Sequence, residues 1–285
     1  PDSYRKLPEL LSRHKANKNS LVDTQLSRFE VYDDLFPSRK EGVNAWITIM
    51  RGCDKFCTFC IVPFTRGRER SRSIQGIIDE VKNAVNNGFS EVTLLGQNVN
   101  SYNHKGKNFS KLLESVAKVS GLKRIRYTSP HPQDISLELL DVMSNYDNIC
   151  NSIHLPLQSG SNRILKRMNR TYTRNHFIEL ATNIRKKLPN AGISTDIIVG
   201  FPGETYEDFL RTINVMEQIR FDSAFTFKYS PRKGTKAIEY QDQVKENVKQ
   251  IRLEEVISLQ KSHTILRNQN FIGKIENVLI EKESK

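Results

Sequence analysis

Residues 45–60, AWITIMRGCDKFCTFC, join a run of β-branched and aromatic side chains to three closely spaced cysteines. The run 45–50 predicts a buried strand, and the cysteines lie in the loop directly after it. Gly52 precedes the first cysteine, where the conformational freedom of glycine lets a backbone wrap tightly around an object. The stretch therefore predicts a strand that is followed by a thiol-rich binding loop.

Further runs of the same character predict five more strands: EVTLLG from Glu91, RIRYTS from Arg124, SIHLPL from Ser152, GISTDIIVG from Gly192 and DSAFTFKYS from Asp222. Counted from residue 45, consecutive runs start 28 to 46 residues apart, which leaves room for the helix of a parallel crossover in each interval. The pattern predicts an α/β fold of six βα units, as an open sheet or an incomplete barrel. No G-x-G-x-x-G follows the first strand, which disfavours a dinucleotide-binding sheet.

Helix signals occupy the intervals between these runs. IIDEVKNAV, residues 77–85, places its apolar residues on one face, and Gly88 follows as a candidate stop. Thr205 and Asp208 predict a capping box at the start of a helix, and Thr173 is placed to cap another.

Composition narrows the class of protein. The 285 residues include 44 Lys and Arg against 32 Asp and Glu, a net charge of +12 that suits a polyanionic partner such as nucleic acid. With 37% hydrophobic and 27% charged residues, and no apolar run near the ~20 residues of a membrane helix, we expect a soluble globular protein. Clustered cysteines without a signal peptide predict a reducing, cytoplasmic location.

The spacing C-x3-C-x2-C leaves several interpretations open. The simplest interpretation is that the three cysteines are free, buried thiols. A structural zinc ion takes four ligands, so a distant histidine such as His104, His131 or His154 would have to complete the site. A cubane iron–sulfur cluster fits better, because each thiolate binds one iron and three thiolates leave one iron open. S-adenosylmethionine can chelate such an iron, and an electron from the reduced cluster then splits its sulfonium to give a 5′-deoxyadenosyl radical.

Three cysteines at this spacing after the first of six strands resemble the radical S-adenosylmethionine superfamily, whose core is a partial (β/α)6 barrel. Four longer stretches are similar to its methylthiotransferases, and closest to the MiaB type that acts on tRNA: IMRGCDKFCTFCIVPFTRGRERSR, LLGQNVNSY, HLPLQSGSNRILKRMNRTYTR and TDIIVGFPGET. The similarity covers roughly residues 30–275. A sister type, which modifies a ribosomal protein, shares the cluster loop.

The resemblance implies a transferase that places a methylthio group on carbon 2 of an N6-isopentenyl adenosine beside the tRNA anticodon. It implies a [4Fe-4S] cluster and S-adenosylmethionine as cofactors, with a second [4Fe-4S] cluster only in the full-length protein. Its implied partners are the tRNA anticodon stem-loop and an electron donor, and we expect a monomer with no membrane partner. The alternatives are a ribosomal-protein methylthiotransferase of the same chemistry and a non-catalytic, zinc-stabilised RNA-binding module.

The site residues follow from the matched motifs, which lie after the strands, where barrel enzymes place their active sites. The cluster ligands are Cys53, Cys57 and Cys60. The residues expected to contact S-adenosylmethionine are Phe59, Gly96, Gln97, Ser129, Gln158, Ser159, Arg174, Ile198, Gly200 and Tyr229. Plainer structural roles compete with these, such as core packing for Phe59 and a solvated surface position for Arg174.

Basic residues form two groups beside these motifs. The first group, expected to bind the RNA substrate, consists of Arg66, Arg68, Arg70 and Arg72. The second lies within residues 166–170, and for both the alternative is a solvated face. Asp196 lies within an apolar strand, so it is either ion-paired or directed at the substrate, since an unpartnered buried carboxylate is costly.

We expect four segments along the chain. They are a lead-in resembling the tail of an N-terminal domain (1–40), the radical core (41–235), a helical connection (236–268) and the truncated first strand of the RNA-binding TRAM module (269–285). The family's N-terminal domain contributes three more cysteines, whereas the remaining cysteine here, Cys150, is expected to be a small buried thiol. We therefore expect a fragment that cleaves S-adenosylmethionine but does not complete methylthiolation alone.

Overall fold

The computed structural model describes residues 2–281 and forms every one of the six predicted strands. The strands are β1 Asn44–Thr48, β2 Met50–Arg51, β3 Arg70–Ser71, β4 Glu91–Leu95, β5 Asn103–His104, β6 Lys107–Asn108, β7 Arg124–Tyr127, β8 Ser152–His154, β9 Gly192–Val199 and β10 Ser223–Lys228. The α-helices are α1 Leu7–Asn17, α2 Val62–Arg66, α3 Ile74–Asn86, α4 Phe109–Ala117, α5 Leu137–Asn145, α6 Asn162–Arg167, α7 Arg174–Lys187, α8 Tyr206–Ile219 and α9 Glu246–Gln269. Short 3-10 helices span Tyr4–Lys6, Val99–Ser101, Pro132–Asp134 and Lys236–Glu239.

The six main strands are parallel and stand in their chain order. One group has the order β1-β4-β7 and the other β8-β9-β10. The groups meet at an isolated parallel bridge between Ile125 and Ile149, where the Ile125 N–H donates to the Asn148 carbonyl at 2.8 Å. A doubly wound sheet would reverse its strand order at a switch point. The fold is therefore the partial (β/α)6 barrel of the radical SAM type.

The predicted helix starts and stops are confirmed. The Thr205 hydroxyl accepts from the Asp208 N–H while the Asp208 carboxylate accepts from the Thr205 N–H, so the capping box is complete. The Thr173 hydroxyl accepts from the His176 N–H at the start of α7. Helix α3 ends at Asn86, and Gly88 follows with a φ of +90°.

The strands divide their side chains between a packed face and an open face. In β1, Ala45 and Ile47 are buried in the main core, whereas Trp46 between them is 57% exposed. In β10, Phe225 and Phe227 are 58% and 51% exposed. Outer helices therefore cover one face of the sheet, while the described residues leave aromatic side chains of the other face in contact with solvent.

Both ends of the chain differ from the sequence-based expectation. The lead-in 1–40, for which the sequence pattern predicts no helix, contains a 3-10 turn and α1, whose second residue is a proline that suits a helix N-terminus. The strand expected within 269–285 is not formed over 271–281, which is turn and irregular chain with Ile275 fully exposed. A strand needs a partner for its backbone groups, and the described residues offer none. Residues 282–285 lie outside the described residues.

The long helix predicted after residue 236 is confirmed as α9. No helix among residues 2–281 combines the length and apolar character that crossing a membrane requires.

Candidate functional site

The cysteine loop connects strands β2 and β3, and its two ends are held together by hydrogen bonds. Strands β2 and β3 pair antiparallel at its base, and the Cys53 N–H donates to the Gly67 carbonyl at 3.2 Å. Gly52 has a φ of +79°, and a Cβ there would lie 2.1 Å from the Arg68 carbonyl oxygen. Only glycine fits this approach. The predicted wrapping of the backbone at Gly52 is therefore confirmed.

The thiols of Cys53, Cys57 and Cys60 line one cavity of about 260 Å³. The cavity lies at the carboxyl ends of the parallel strands, where barrel active sites are found. Its other lining residues are Lys55, Phe59, Gln97, Asn98, Ser129, Pro130, His131, His154, Pro156, Gln158, Arg170 and Asp196. The structure thus brings the predicted ligands together with Phe59, Gln97, Ser129, Gln158 and Asp196.

Burial affects the acidity of these thiols. It raises the pKa of Cys53 to about 11 and also raises the pKa of Cys60 above its ordinary value. Both thiols are therefore protonated near neutral pH in the ion-free chain, and binding of a cationic group must release protons. Within residues 2–281, no group of three or more His, Cys, Asp or Glu side chains is arranged to hold a single ion. A cubane takes one thiolate per iron, so three cysteines that line one cavity could each bind a different iron.

The segment that follows α6 clamps the cysteine loop. The Met168 carbonyl accepts from the Thr58 N–H at 3.1 Å, and the Thr58 hydroxyl donates to the Arg167 carbonyl at 2.8 Å. Asn169, held at a φ of +58°, donates its amide to the Lys55 and Phe56 carbonyls at 3.1 and 3.0 Å. Residues 167–169 therefore hold the backbone of the cysteine loop in place through these hydrogen bonds.

Arg170 adds a charged contact to the hydrogen bonds that residues 167–169 make with the cysteine loop. Its Nη1 donates to the Cys57 Sγ at 3.3 Å, while Nε contacts the Tyr172 hydroxyl and Nη2 the Pro156 carbonyl. Burial opposes its charge, but attraction to Tyr172 and Cys57 holds the pKa of Arg170 above its ordinary value. The sequence pattern predicts that Arg170 belongs to a basic RNA-binding group, yet its guanidinium is fixed beside Cys57, a predicted cluster ligand.

Arg174, a predicted cofactor-binding residue, lies outside this cavity. The resemblance predicts that it contacts S-adenosylmethionine, but it does not line the cavity, and its guanidinium contacts the Asn214 side chain on α8. Arg174 is the first residue of α7 and contacts α8, whereas Arg170 lies in the turn before α7 and contacts Cys57 in the cysteine loop.

Two lining residues hold an unusual backbone conformation. Ser129 and Gln158, which follow strands β7 and β8, have φ values of +57° and +66°. Such conformations are costly for residues other than glycine and cluster at ligand sites. Gln97 is held differently, since its Oε1 accepts from the Gly52 N–H at 2.7 Å. The loop after β4 is thereby hydrogen-bonded to the start of the cysteine loop.

The remaining predicted cofactor residues lie behind the cavity wall. Ile198 and Tyr229 belong to a small apolar cluster around Phe201, against which the Phe59 ring packs at 6.3 Å. Ser159 is fully buried. A Cβ on Gly96 would meet Met50 at 2.6 Å, and one on Gly200 would meet Lys249 at 2.3 Å. These residues shape the wall and do not line it.

The cavity also contains two histidines with different partners. His154 Nε2 lies 3.2 Å from an Asp196 carboxylate oxygen, so Asp196 is paired and also borders the cavity. Burial, reinforced by the positive charges of Arg170 and Lys55, lowers the pKa of His131 to about 2. His131 is therefore a neutral side chain. Sequence reasoning considered both histidines only as distant zinc ligands.

The four arginines predicted to bind RNA divide into two kinds. Arg66 and Arg68 are exposed, and Arg68 pairs with Asp54. Arg70 and Arg72 are buried and ion-paired with carboxylates, so they are not surface contacts, contrary to expectation. Their partners are Asp2 for Arg70, and Asp33 and Glu80 for Arg72.

A protein-family model matches the part of the chain that contains this site. The family described as the Radical SAM superfamily matches residues 47–216, which include the end of β1, the cysteine loop and the four main strands β4, β7, β8 and β9. Coproporphyrinogen III oxidase (HemN) from Escherichia coli shares the fold with a TM-score of 0.59 at 17% identity, over 78% of this chain and 53% of that one. The methyltransferase TsrM from Kitasatospora setae, solved with cobalamin and a [4Fe-4S] cluster bound, gives 0.58 at 16% identity, over 69% and 39%.

Relatives found by sequence have a much higher identity to this chain than these two structures have. The tRNA-2-methylthio-N(6)-dimethylallyladenosine synthase of Carboxydothermus hydrogenoformans is 46% identical over 98% of this chain and 64% of its own length. The protein of the same name from Clostridium novyi is 47% identical over 100% and 63%, and that from Pelotomaculum thermopropionicum is 49% identical over 99% and 64%. The chain therefore spans less than two thirds of the length of these curated relatives.

Proposed function

Since the chain belongs to the radical SAM superfamily, whose cofactors are a [4Fe-4S] cluster and S-adenosylmethionine, we propose that it is the radical core of a tRNA methylthiotransferase. The proposed reaction adds a methylthio group to C2 of an N6-isopentenyl adenosine beside the anticodon. The convergence of three thiols on one strand-end cavity carries this proposal. The names and the 46–49% identities of the relatives support the substrate class.

In this assignment, Cys53, Cys57 and Cys60 hold the cluster. When bound, the two cofactors supply one-electron cleavage of the sulfonium, which reaches C–H bonds that acid–base chemistry does not. Gln97 orients the start of the loop through the Gly52 N–H. Arg170 places a positive charge beside the Cys57 sulfur.

The rest of the cavity wall is assigned to the cofactor and the substrate. Phe59 shields one side from water, and Ser129 and Gln158 offer hydroxyl and amide groups at the strand ends. Asp196, oriented by His154, faces the substrate. The second layer of Gly96, Ser159, Ile198, Gly200 and Tyr229 supports the adenine side.

The surroundings of the site follow from the same proposal. Arg66 and Arg68 are the surface arginines left to contact an anticodon stem-loop, because RNA loops are bound on cationic surfaces with their bases splayed out. We propose a cytoplasmic monomer that receives electrons from a separate donor. The division into a lead-in, a core, a helical connection and a TRAM strand is retained as a proposal, as is a second cluster in the full-length protein.

Anaerobic reconstitution tests this proposal. About four irons per chain, broad absorption near roughly 400 nm and reductive formation of 5′-deoxyadenosine are expected. Cys57→Ala should abolish all three, whereas Cys150→Ala, a cysteine outside the loop, should keep them. Stoichiometric zinc without iron would instead support the RNA-binding module. Methylthiolated tRNA made by this chain alone would contradict the expectation that the chain completes only the radical step.

A further inference from the structure

A second cavity, of about 360 Å³, lies against the same cysteine loop. Its wall includes Cys57 and Cys60, which are the only residues that it shares with the first cavity. The neighbouring Thr58 lines the second cavity and Phe59 the first. Residues 57–60 therefore border both cavities, and the second opening is lined by two of the three cysteines, Cys57 and Cys60.

Unpaired positive charges lie at this second opening and in the loop beside it. Lys166 and Lys236 line it, and Arg232 and Lys233 precede Lys236 in a loop that is docked on the cysteine loop by the Ala237 N–H to Thr58 carbonyl bond of 2.8 Å. All four cations are exposed. Within residues 2–281, none of the four lies within ion-pairing distance of a carboxylate.

Aromatic side chains form the floor between these charges. The Phe56 and Phe64 rings pack edge to face at 6.2 Å and are 39% and 59% exposed. Arg167 stacks over the Tyr240 ring at 4.6 Å and is paired with Asp242, so its charge is compensated. A small apolar floor beside Lys166 and Lys236, with Arg232 and Lys233 in the adjoining loop, suits a brief protein contact. Electron-transfer encounters bury little area and are steered by charge.

We propose that this surface docks an acidic one-electron carrier protein. The inference rests on the proposed function, in which each cleavage of S-adenosylmethionine consumes one electron from outside the chain. In the docking step the reduced carrier loses one electron to the group held by Cys57 and Cys60, and no bond forms or breaks. An RNA substrate fits this surface less well, because its target base must reach the cavity lined by Gln97 and Asp196, which lies beyond residues 57–60.

The test compares two charge-reversal variants of the reconstituted chain. Lys233→Glu/Lys236→Glu alters the proposed surface, and Lys82→Glu/Lys261→Glu makes the same change of net charge at exposed lysines on α3 and α9. An acidic flavodoxin is the probe. The measurements are its dissociation constant with each chain, and the rates of 5′-deoxyadenosine formation with reduced flavodoxin and with dithionite, a small reductant that needs no docking surface.

The surface variant should bind flavodoxin at least tenfold more weakly and lose at least tenfold in the flavodoxin-supported rate. Its rate with dithionite should stay within twofold of the unmodified chain, and the control variant should match the unmodified chain in every measurement. Raising the ionic strength should shrink the difference, because exposed charges are screened.

Three results would overturn the docking surface: unchanged flavodoxin affinity, an equal loss of rate with both reductants, or loss of binding to an anticodon stem-loop RNA with the flavodoxin rate retained. The last result would assign the face to RNA. Failure of the proposed function is distinguishable, since the unmodified chain would then form no 5′-deoxyadenosine even with dithionite.

Discussion

The two basic segments beside the cysteine loop, residues 66–72 and 166–170, have similar composition but different physical roles. In the first, Arg72 is 4% exposed and lies between two carboxylates. In the second, Arg170 is fixed beside a cysteine sulfur. Arg66 and Lys166 are exposed members of the same segments. The partner of a guanidinium therefore decides whether its charge stabilises the fold, acts on the site or remains available on the surface.

The largest expected effect concerns the first segment. Arg72→Met should lower the free energy of unfolding by about 3 kcal/mol, because it leaves the buried Glu80 carboxylate without its 2.6 Å partner. Arg66→Met is the matched control, and it should change stability by no more than about 0.5 kcal/mol. Denaturant unfolding of the iron-free chain measures both. Equal losses in the two variants would remove the distinction between buried and exposed arginines in this segment.

In the second segment, the role of Arg170 predicts a change in redox potential. Arg170→Met should lower the midpoint potential of the reconstituted cluster by on the order of 60 mV, a tenfold change in the reduced fraction, because a positive charge and a hydrogen bond to a ligand sulfur favour the reduced form. A redox titration followed by electron paramagnetic resonance, without S-adenosylmethionine, provides the measurement. Arg174→Met, four residues away and outside the cavity, should leave the potential unchanged. A shift of the same size in both variants would show that the hydrogen bond to Cys57 has no special role.

The burial of His131, reinforced by the nearby charges of Arg170 and Lys55, also predicts a pH dependence of stability. The folded chain holds the pKa of His131 at about 2, below the ordinary 6.5. Below pH 6.5 the unfolded chain binds a proton that the folded chain does not, so stability is fully present above pH 6.5 and is lost as the pH falls. Between pH 7.5 and 5.5 the iron-free chain should lose about 1.4 kcal/mol through this group. His131→Gln should lose correspondingly less over the same interval, and an identical slope in both chains would refute the assignment.

Local features of the fold could be predicted from the sequence, whereas the partners of individual side chains could not. The strand from Gly192 and the capping box at Thr205 depend on neighbouring residues, and both are confirmed. The distinction between Arg170 and Arg174 depends on a contact with Cys57, which lies 113 residues from Arg170 in sequence. No periodicity encodes that contact.

The same reason explains the errors in the two arginine groups and at the C-terminus. Arg70 is buried against Asp2, 68 residues away, and a count of charges in RGRERSR gives no sign of this. The alternating run after residue 271 has strand composition, but composition does not supply a pairing partner. Asn169 lies within a matched motif, but the motif does not reveal its role, because that role is a hydrogen bond to a loop 113 residues distant.

Asn169 gives the smallest and most local test of the clamp formed by the second segment. Asn169→Gly removes the amide that binds the Lys55 and Phe56 carbonyls but tolerates the φ of +58°, so it should cost about 1 kcal/mol of unfolding free energy. Asn169→Ala removes the same bonds and adds the strain of a left-handed conformation, for a total of about 2 kcal/mol. Hydrogen exchange should rise at the amides of residues 53–60 in both variants and remain unchanged in α3. A glycine variant less stable than the alanine variant would mean that backbone rigidity at Asn169, and not its side-chain amide, holds the loop.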